Sequence, residues 1–308
     1  MGSSYPNGFA AGVTIRGVPL LTTNPGEVFW VNNSGVLAKG GVGGSNGNDG
    51  TYRKPFASID YAVGKCTADR GDIIVVMPGH SEDIASATSL VFDVAGVSVI
   101  GLGAGSLRPD LNFSATASSV EIDAANVTLY NLTLTADVSA VVVGVNIDAA
   151  YATLDNVEIN FNATGDDFIT MIDADGVTGF TLSNSRVIAE AIAGCSEAVR
   201  LDTAPEHTIT DNFFYGDFTD GIIIGEGAAS TGANLIAGNT GYNADTTAGF
   251  VVDLNVANTG VMANNNWGTL FATAPETALD PGSMLSIENY VVNAVDESGA
   301  LVPTTVST

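Results

Sequence analysis

The chain has 308 residues, of which 45% are hydrophobic, 14% are charged and 36 are glycine. That apolar content is enough to bury a core, which excludes a disordered tail. The formal charge of -25, from 9 basic and 34 acidic residues, opposes contact with polyanions. No nucleic-acid partner is therefore predicted.

Neither a disulfide scaffold nor a membrane partner is predicted. Cys66 and Cys195 stand far apart in the sequence and are interpreted as small buried hydrophobes. Residues 1–8 lack the basic and apolar stretches of a secretion signal, and no run reaches the length of a membrane span. We therefore expect synthesis in the cytoplasm without a signal peptide.

Residues 1–45 are predicted to form an extended arm that ends in a glycine-rich hinge at residues 40–44. The arm has no helix signal and carries scattered apolar residues, among them Val28, Phe29, Trp30 and Val31. Such side chains need a cover. Either they attach the protein to a neighbouring subunit or a particle surface, or the arm folds back along its own chain as an edge strand.

Residues 46–70 are predicted to contain an opening turn and a capping helix. The turn is Gly47-Asn-Asp-Gly-Thr51, and Ser58 is a suitable N-cap for a short helix. Ile59, Ala62 and Val63 would share one face of this helix. Stacked coils leave an apolar end open, and such a helix would cover it.

Two markers repeat together between residues 71 and 275. One marker is a hydrophobic residue followed by aspartate. The other is a short strand that ends in asparagine, and these asparagines recur at steps of 25 to 28 residues. The aspartates are Asp123, Asp148, Asp173, Asp202 and Asp253. The asparagines are Asn131, Asn156, Asn184, Asn212, Asn239 and Asn264.

Each repeat holds three short strands with alternating apolar residues and has no room for a crossover helix. The chain must then wrap three sheets around one core. The predicted fold is all-β: a single-stranded right-handed parallel β-helix (β-solenoid) over residues 71–275, with a short capping helix, an extended N-terminal arm and a C-terminal cap or tail at residues 276–308.

The six repeated asparagines are predicted to form a structural ladder. Asparagine tolerates left-handed backbone at a bend, and its amide can bond to the asparagine of the next coil. For the aspartates two interpretations stay open: outward positions in turns, or ligands of a calcium ion.

Residue content predicts no catalytic residue, cofactor or metal site. Cleavage of a polysaccharide needs two carboxylates in a groove, yet carboxylates are abundant here and discriminate nothing. Aromatic residues make up only 7% of the chain. The coils offer three arginines, Arg108, Arg186 and Arg200, and the last two are expected to pair with the aspartates.

The segment around residues 46–84 resembles the pectate-lyase-like β-helix superfamily. The resemblance lies in the Asn-Asp-Gly-Thr turn, the Pro55-Phe-Ala-Ser-Ile-Asp60 helix and the strand Gly71-Asp-Ile-Ile-Val-Val-Met-Pro-Gly79. It implies the fold and is not specific for an activity.

A narrower resemblance, to the β-helix virion proteins of tailed bacteriophages, covers residues 94–105, 125–132 and 212–218 and the arm. It implies a non-enzymatic capsid decoration (cement) protein on the virion surface, a homotrimer bound to the major capsid protein or another virion protein. The alternative is a tailspike or fibre that binds or degrades host surface polysaccharide as a glycoside hydrolase or polysaccharide lyase.

Overall fold

The computed structural model describes residues 13–15, 18–20, 26–35, 37–190, 194–201, 205–225, 232–247, 249–271, 277–295 and 297–302. Over these ranges the chain coils into a parallel β-solenoid with three sheets, which confirms the predicted β-helix. No helix in the described part of the chain is long and apolar enough to cross a membrane.

Sheet 1 is formed by the first strand of each coil, and all of its strand pairs are parallel. Its strands are Val28–Val31, Ile73–Val76, Ser98–Gly101, Thr128–Tyr130, Thr153–Asp155, Thr181–Ser183, Thr208–Thr210, Ala233–Ala237, Thr259–Ala263 and Leu285–Ile287.

Sheet 2 is parallel up to its last strand, which turns back antiparallel and covers the C-terminal edge. Its strands are Ser81–Ile84, Asp110–Phe113, Thr133–Ala136, Glu158–Phe161, Arg186–Ile188, Phe213–Gly216, Thr240–Asn243, Asn266–Thr269, Asn289–Asn293 and Ser298–Val302.

Sheet 3 completes each coil and is again parallel. Its strands are Val91–Phe92, Val120–Ile122, Val141–Ile147, Phe168–Asp173, Cys195–Arg200, Phe218–Gly225, Phe250–Leu254 and Leu279–Asp280. Outside the three sheets, Val13–Ile15 pairs antiparallel with Val18–Leu20, and Gly105–Leu107 forms one 3₁₀ turn.

The core consists of columns of apolar side chains, one from each coil. In sheet 1 the register places Leu129, Leu154 and Leu182 on top of one another, and each of them is fully buried. In sheet 2 Trp267 fits the corresponding column because the preceding coil has Gly241, where a Cβ would lie 2.5 Å from the indole. Each coil therefore buries its apolar face against the next.

The helix Ile59–Val63 closes the N-terminal end and buries Ile59, Ala62 and Val63, as the sequence predicts. Ser58 occupies the N-cap position, but its hydroxyl makes no capping hydrogen bond. The Ile59 N–H donates instead to Glu82 Oε2 at 2.9 Å. Glu82 lies in the first coil, so the cap is bonded directly to the solenoid.

The glycine-rich segment at residues 40–44 is held against neighbouring backbone. The Val42 N–H donates to the Arg53 carbonyl, and the Ser45 N–H donates to the Pro55 carbonyl. A Cβ at Gly44 would lie 1.5 Å from the Asn32 carbonyl oxygen. Close backbone approach accounts for glycine at this position.

Candidate functional site

The six predicted ladder asparagines lie in two adjacent columns. Asn131, Asn156, Asn184 and Asn264 occupy the bend after the sheet 1 strand, with φ between 52° and 58°. Within that column the Asn156 amide donates to Asn131 Oδ1 at 2.9 Å, whereas Asn184 donates to Asp155. Left-handed backbone is therefore the feature that these four residues share.

Asn212 and Asn239 lie one position further along, inside the coil. Each is buried, and its amide donates to the side-chain oxygen of the next residue in the column, through Asn265 to Asn289, at distances of 2.8–3.0 Å. Each oxygen also accepts the backbone N–H of the preceding asparagine. This inner ladder includes Asn265 and Asn289, which the spacing of the repeats did not reveal.

The arm segment Val28–Val31 is the first strand of sheet 1 and pairs in parallel with Ile73–Val76. Phe29 and Val31 point into the core. Trp30 is half-buried, and its ring lies edge-on to Tyr52 with centroids 4.9 Å apart. Only Val28 and Trp30 expose surface that a partner could contact.

The four predicted aspartates that the structure describes lie on the outer face of sheet 3. The register aligns Asp123 with Asp148 but aligns Asp173 with Asn146, two residues earlier. Asp253 stands opposite Asp280, and Asp202 lies outside the described residues. A shift of two residues keeps a side chain on the same face, so these aspartates are outward-facing throughout.

One group of carboxylates on this face has the compactness that a metal ion needs. Glu121, Asp123 and Asp148 each offer an oxygen within 4.8 Å of the others. The Asn146 amide already donates to Glu121 at 2.7 Å and to Asp148 at 3.2 Å. Glu121 and Asp148 therefore have a protein partner, and the clustering of the three carboxylates alone assigns no ligand.

The two arginines expected to pair with aspartates behave differently. Arg200 does so, with Nη1 at 3.3 Å from Asp173 Oδ2, and it also bonds to Glu197. Arg186 is on sheet 2, where its guanidinium lies over the ring of Phe213 at 4.8 Å from the centroid.

The burial of acidic groups predicts a pH dependence of stability. Desolvation is the largest cause of a raised pKa at five carboxyl groups: Asp60, Asp110, Asp123, Glu197 and Asp217. A carboxyl group whose pKa is raised in the folded state stabilises the fold at pH values below its ordinary pKa. This contribution is lost as the pH rises through the folded-state pKa. We therefore expect a higher melting temperature at pH 5 than at pH 7, measured by calorimetry.

Asp72 has the opposite effect on stability, because its contribution is lost at low pH. Burial alone would raise its pKa, but hydrogen bonds from Arg70 and from the Thr67 and Glu27 N–H groups lower it. Its contribution is present above the ordinary value of 3.8 and is lost as pH falls through the lower folded value. A melting temperature that is lower at pH 5 than at pH 7 would contradict the prediction.

The residues with the most suitable arrangement for chemistry line an open groove of about 450 Å³ on sheet 2. Asp110, Thr133 and Glu158 stand in one outward column on three successive strands. Arg108 reaches across from the turn before Asp110, with its Nη1 at 3.3 Å from Glu158 Oε2. Residues from three coils thus meet in one groove, and sequence reasoning did not single out either carboxylate.

Two polar atoms in this groove have no protein partner among the described residues. Arg108 Nε and Asn160 Oδ1 are both buried and make no hydrogen bond there. Unpaired buried polar atoms are costly in a folded protein. Because both atoms are closed to solvent, they do not by themselves assign a ligand to the groove.

Asp110 and Glu158 have different surroundings. Burial raises the pKa of Asp110, and the charges of Glu158 and Asp137 add to the effect, against a hydrogen bond that Thr135 Oγ1 donates at 2.8 Å. Glu158 is ion-paired with Arg108. Two carboxyl groups with such different environments can serve as a proton donor and a proton acceptor.

No family model matches the chain, and no curated protein matches it in sequence. Among solved structures it is similar to pectate lyase Pel9A, with a TM-score of 0.51 and 13% identity over 87% of this chain and 77% of the other. A rhamnogalacturonan lyase matches with a TM-score of 0.42 and 13% identity, over 89% of this chain and 88% of the other. The first likeness places the chain in the pectate-lyase-like β-helix fold.

The prediction that the protein is not an enzyme is corrected here. Pectate lyase Pel9A, a solved structure that shares the fold over most of both chains, is a lyase. The prediction failed because it averaged basic and aromatic content over the whole chain. The fold gathers Arg108, Arg186, Phe213 and Tyr215 on one face, sheet 2.

Proposed function

We propose that the protein cleaves a polysaccharide in the groove on sheet 2, with Asp110 as general acid and Glu158 as general base. The supporting observation is the pairing of a desolvated carboxyl group with an Arg108-bound carboxylate in one open groove. The two residues lie two strands apart in one column, which is roughly 9–10 Å between backbones. Inverting glycosidases separate their carboxyl groups by about 6.5–9.5 Å.

The reaction is a hydrolysis. Asp110 gives its proton to the glycosidic oxygen as the bond from that oxygen to the anomeric carbon breaks. A water molecule, which loses a proton to Glu158, supplies the oxygen that bonds to the anomeric carbon. Arg108, bonded to Glu158, holds the carboxylate in position.

Elimination is the second candidate, because the chain shares its fold with a pectate lyase. In that reaction Arg108 would bind the carboxylate of a uronate, and the product would carry an unsaturated sugar. The groove favours hydrolysis, since two carboxyl groups face it together with a single arginine.

Product analysis tests the proposal. Purified protein is incubated with a panel of neutral and uronate-containing polysaccharides, and both new reducing ends and ultraviolet-absorbing unsaturated ends are measured. We expect new reducing ends without unsaturated ends. Unsaturated products would replace hydrolysis with elimination, and an intact panel would refute cleavage.

The proposed setting is a spike or fibre on a virion surface, built as a homotrimer. Two features support it: the sequence resemblance to β-helix virion proteins, and exposed apolar side chains on the outer face of sheet 1 near the C-terminal end, namely Leu235, Leu285 and Ile287. Sedimentation should give three times the 31.3 kDa of one chain. A monomeric mass at micromolar concentration would contradict the trimer.

A further inference from the structure

The outer face of sheet 2 continues beyond the groove as a surface of aromatic and polar side chains. From Arg186 to Val292 its outward positions carry no carboxylate, although the chain has 34 acidic residues. We name this surface the aromatic platform; its outward residues are Arg186, Ile188, Phe213, Tyr215, Thr240, Tyr242, Asn266, Gly268, Tyr290 and Val292.

The tyrosines of the platform are arranged side by side. The rings of Tyr215 and Tyr242 are within 16° of parallel, with centroids 6.0 Å apart. Gly268 makes room for the Tyr242 ring, because a Cβ there would lie 2.6 Å from Cδ2. Tyr215 is 40% exposed and Tyr290 is 49% exposed. Tyr215 and Tyr290 therefore expose apolar ring surface to solvent, whereas Tyr242 is half-buried in its stack with Tyr215.

Polar side chains stand between the aromatic ones. Thr240 and Asn266 follow Phe213 in its outward column, and both are exposed. A hydroxyl and an amide beside aromatic rings match a sugar, whose ring has apolar C–H faces and a rim of hydroxyls. Coils repeat about every 4.8 Å, so these side chains form one continuous surface over five coils along the solenoid axis.

Charge also favours a glycan over a second copy of the chain. Arg186 is the one charged side chain in the two outward columns of this face between Arg186 and Val292, over residues that the structure describes. A second copy that docked with the same face would offer Arg186 no carboxylate. A neutral glycan meets no charge repulsion there, and an anionic one could pair with Arg186, although the net charge of -25 opposes it.

We infer that the aromatic platform binds an extended glycan chain that runs along the solenoid axis and continues the groove. The inference rests on the proposed function for its direction: the groove lies at Asp110 to Glu158, and the platform begins on the next strand, at Arg186. A chain bound along the platform would thus present one of its linkages to Asp110 and Glu158.

Binding is tested with two hexasaccharides, cellohexaose as a neutral probe and hexagalacturonate as an anionic one. Titration calorimetry is run on the full chain with Asp110→Asn, so that the probe stays intact. We expect at least one probe to bind, and Tyr215→Ala and Tyr242→Ala each to weaken it about five- to tenfold. Tyr151→Ala, which removes an exposed tyrosine outside sheet 2, is the matched control and should leave the affinity unchanged.

Arg186→Gln distinguishes the two probes. It should weaken hexagalacturonate more than cellohexaose if the guanidinium contacts a uronate, and should affect both equally if only the rings bind. Either result supports the platform. Absence of binding for both probes at millimolar concentration would overturn it, as would binding that neither tyrosine substitution changes.

Sedimentation of the wild type and of the double variant Tyr215→Ala/Tyr242→Ala tests whether a second copy of the chain, and not a glycan, covers this face. An oligomer that dissociates in the double variant would show that this face joins subunits, and the inference would fall. Cleavage that depends on Asp110 without platform binding would refute the platform alone. Platform binding without cleavage of any polysaccharide would refute the proposed function alone.

Discussion

Replacing Asp110 with asparagine is expected to lower the rate of polysaccharide cleavage by about 10²–10⁴-fold, the usual contribution of a general acid. Asparagine keeps the shape of the side chain and can still accept the hydrogen bond from Thr135, so the groove should survive. What it loses is the proton for the leaving oxygen. The measurement is the initial rate of reducing-end release from a polysaccharide that the wild type cleaves.

The pH profile adds a second readout. Since burial raises the pKa of Asp110, its acid form persists to higher pH than that of an exposed aspartate. Wild-type activity should fall as pH rises through this raised value, and the residual activity of Asp110→Asn should lack that limb. Asp83→Asn is the matched control, because Asp83 is an exposed aspartate on the same sheet outside the groove. Asp110→Asn activity within threefold of the wild type would remove Asp110 from the mechanism.

The coil repeat is readable from sequence because each coil independently needs an apolar column inside and a tight bend between strands. Leu129, Leu154 and Leu182 recur in register, and so do the left-handed asparagines Asn131 and Asn156. Such a repeat can be recognised from the residues of each coil alone, without knowledge of which coils are in contact. The same holds for the capping helix, whose buried face consists of Ile59, Ala62 and Val63.

Register is harder to read, because coils differ in length by a few residues. Counting from Asn184 to Asn212 overshoots by one, since Asn184 stands over Asp211. A slip of one residue moves a side chain from the bend to the interior. The asparagine columns were therefore merged in the prediction, although alignment on the buried column Leu182, Ile209 and Ile236 separates them.

The groove could not be found from sequence for a related reason. Arg108 and Glu158 are 50 residues apart and meet only because the chain completes two turns of the solenoid between them. No local motif records such a contact. Composition was a poor guide as well, because it does not show which face of the solenoid a side chain occupies.

The largest stability effect is expected from Asn239→Ala, in the inner ladder. The Asn239 side chain accepts the backbone N–H and the amide of Asn212, and it donates to the Ile209 carbonyl and to Asn265 Oδ1. Alanine leaves the buried Asn212 N–H without its acceptor and breaks the chain of amides. At roughly 1–3 kcal/mol for each unsatisfied group, the free energy of unfolding should fall by about 3 kcal/mol or more.

The column at the bend, which contains Asn156 and Asn264, provides the comparison for that experiment. Asn264→Ala changes an exposed asparagine at a left-handed bend, with φ of 56°, and should cost only about 1–2 kcal/mol of backbone strain. Asn156→Ala removes one half-buried amide bond to Asn131 and should lower the melting temperature by an intermediate amount. Calorimetry of the three variants should therefore rank Asn239 first, because only its column is bonded on both sides and closed to water. Equal losses at Asn239 and Asn264 would show that the bend, and not the buried amide chain, determines how firmly successive coils are held together.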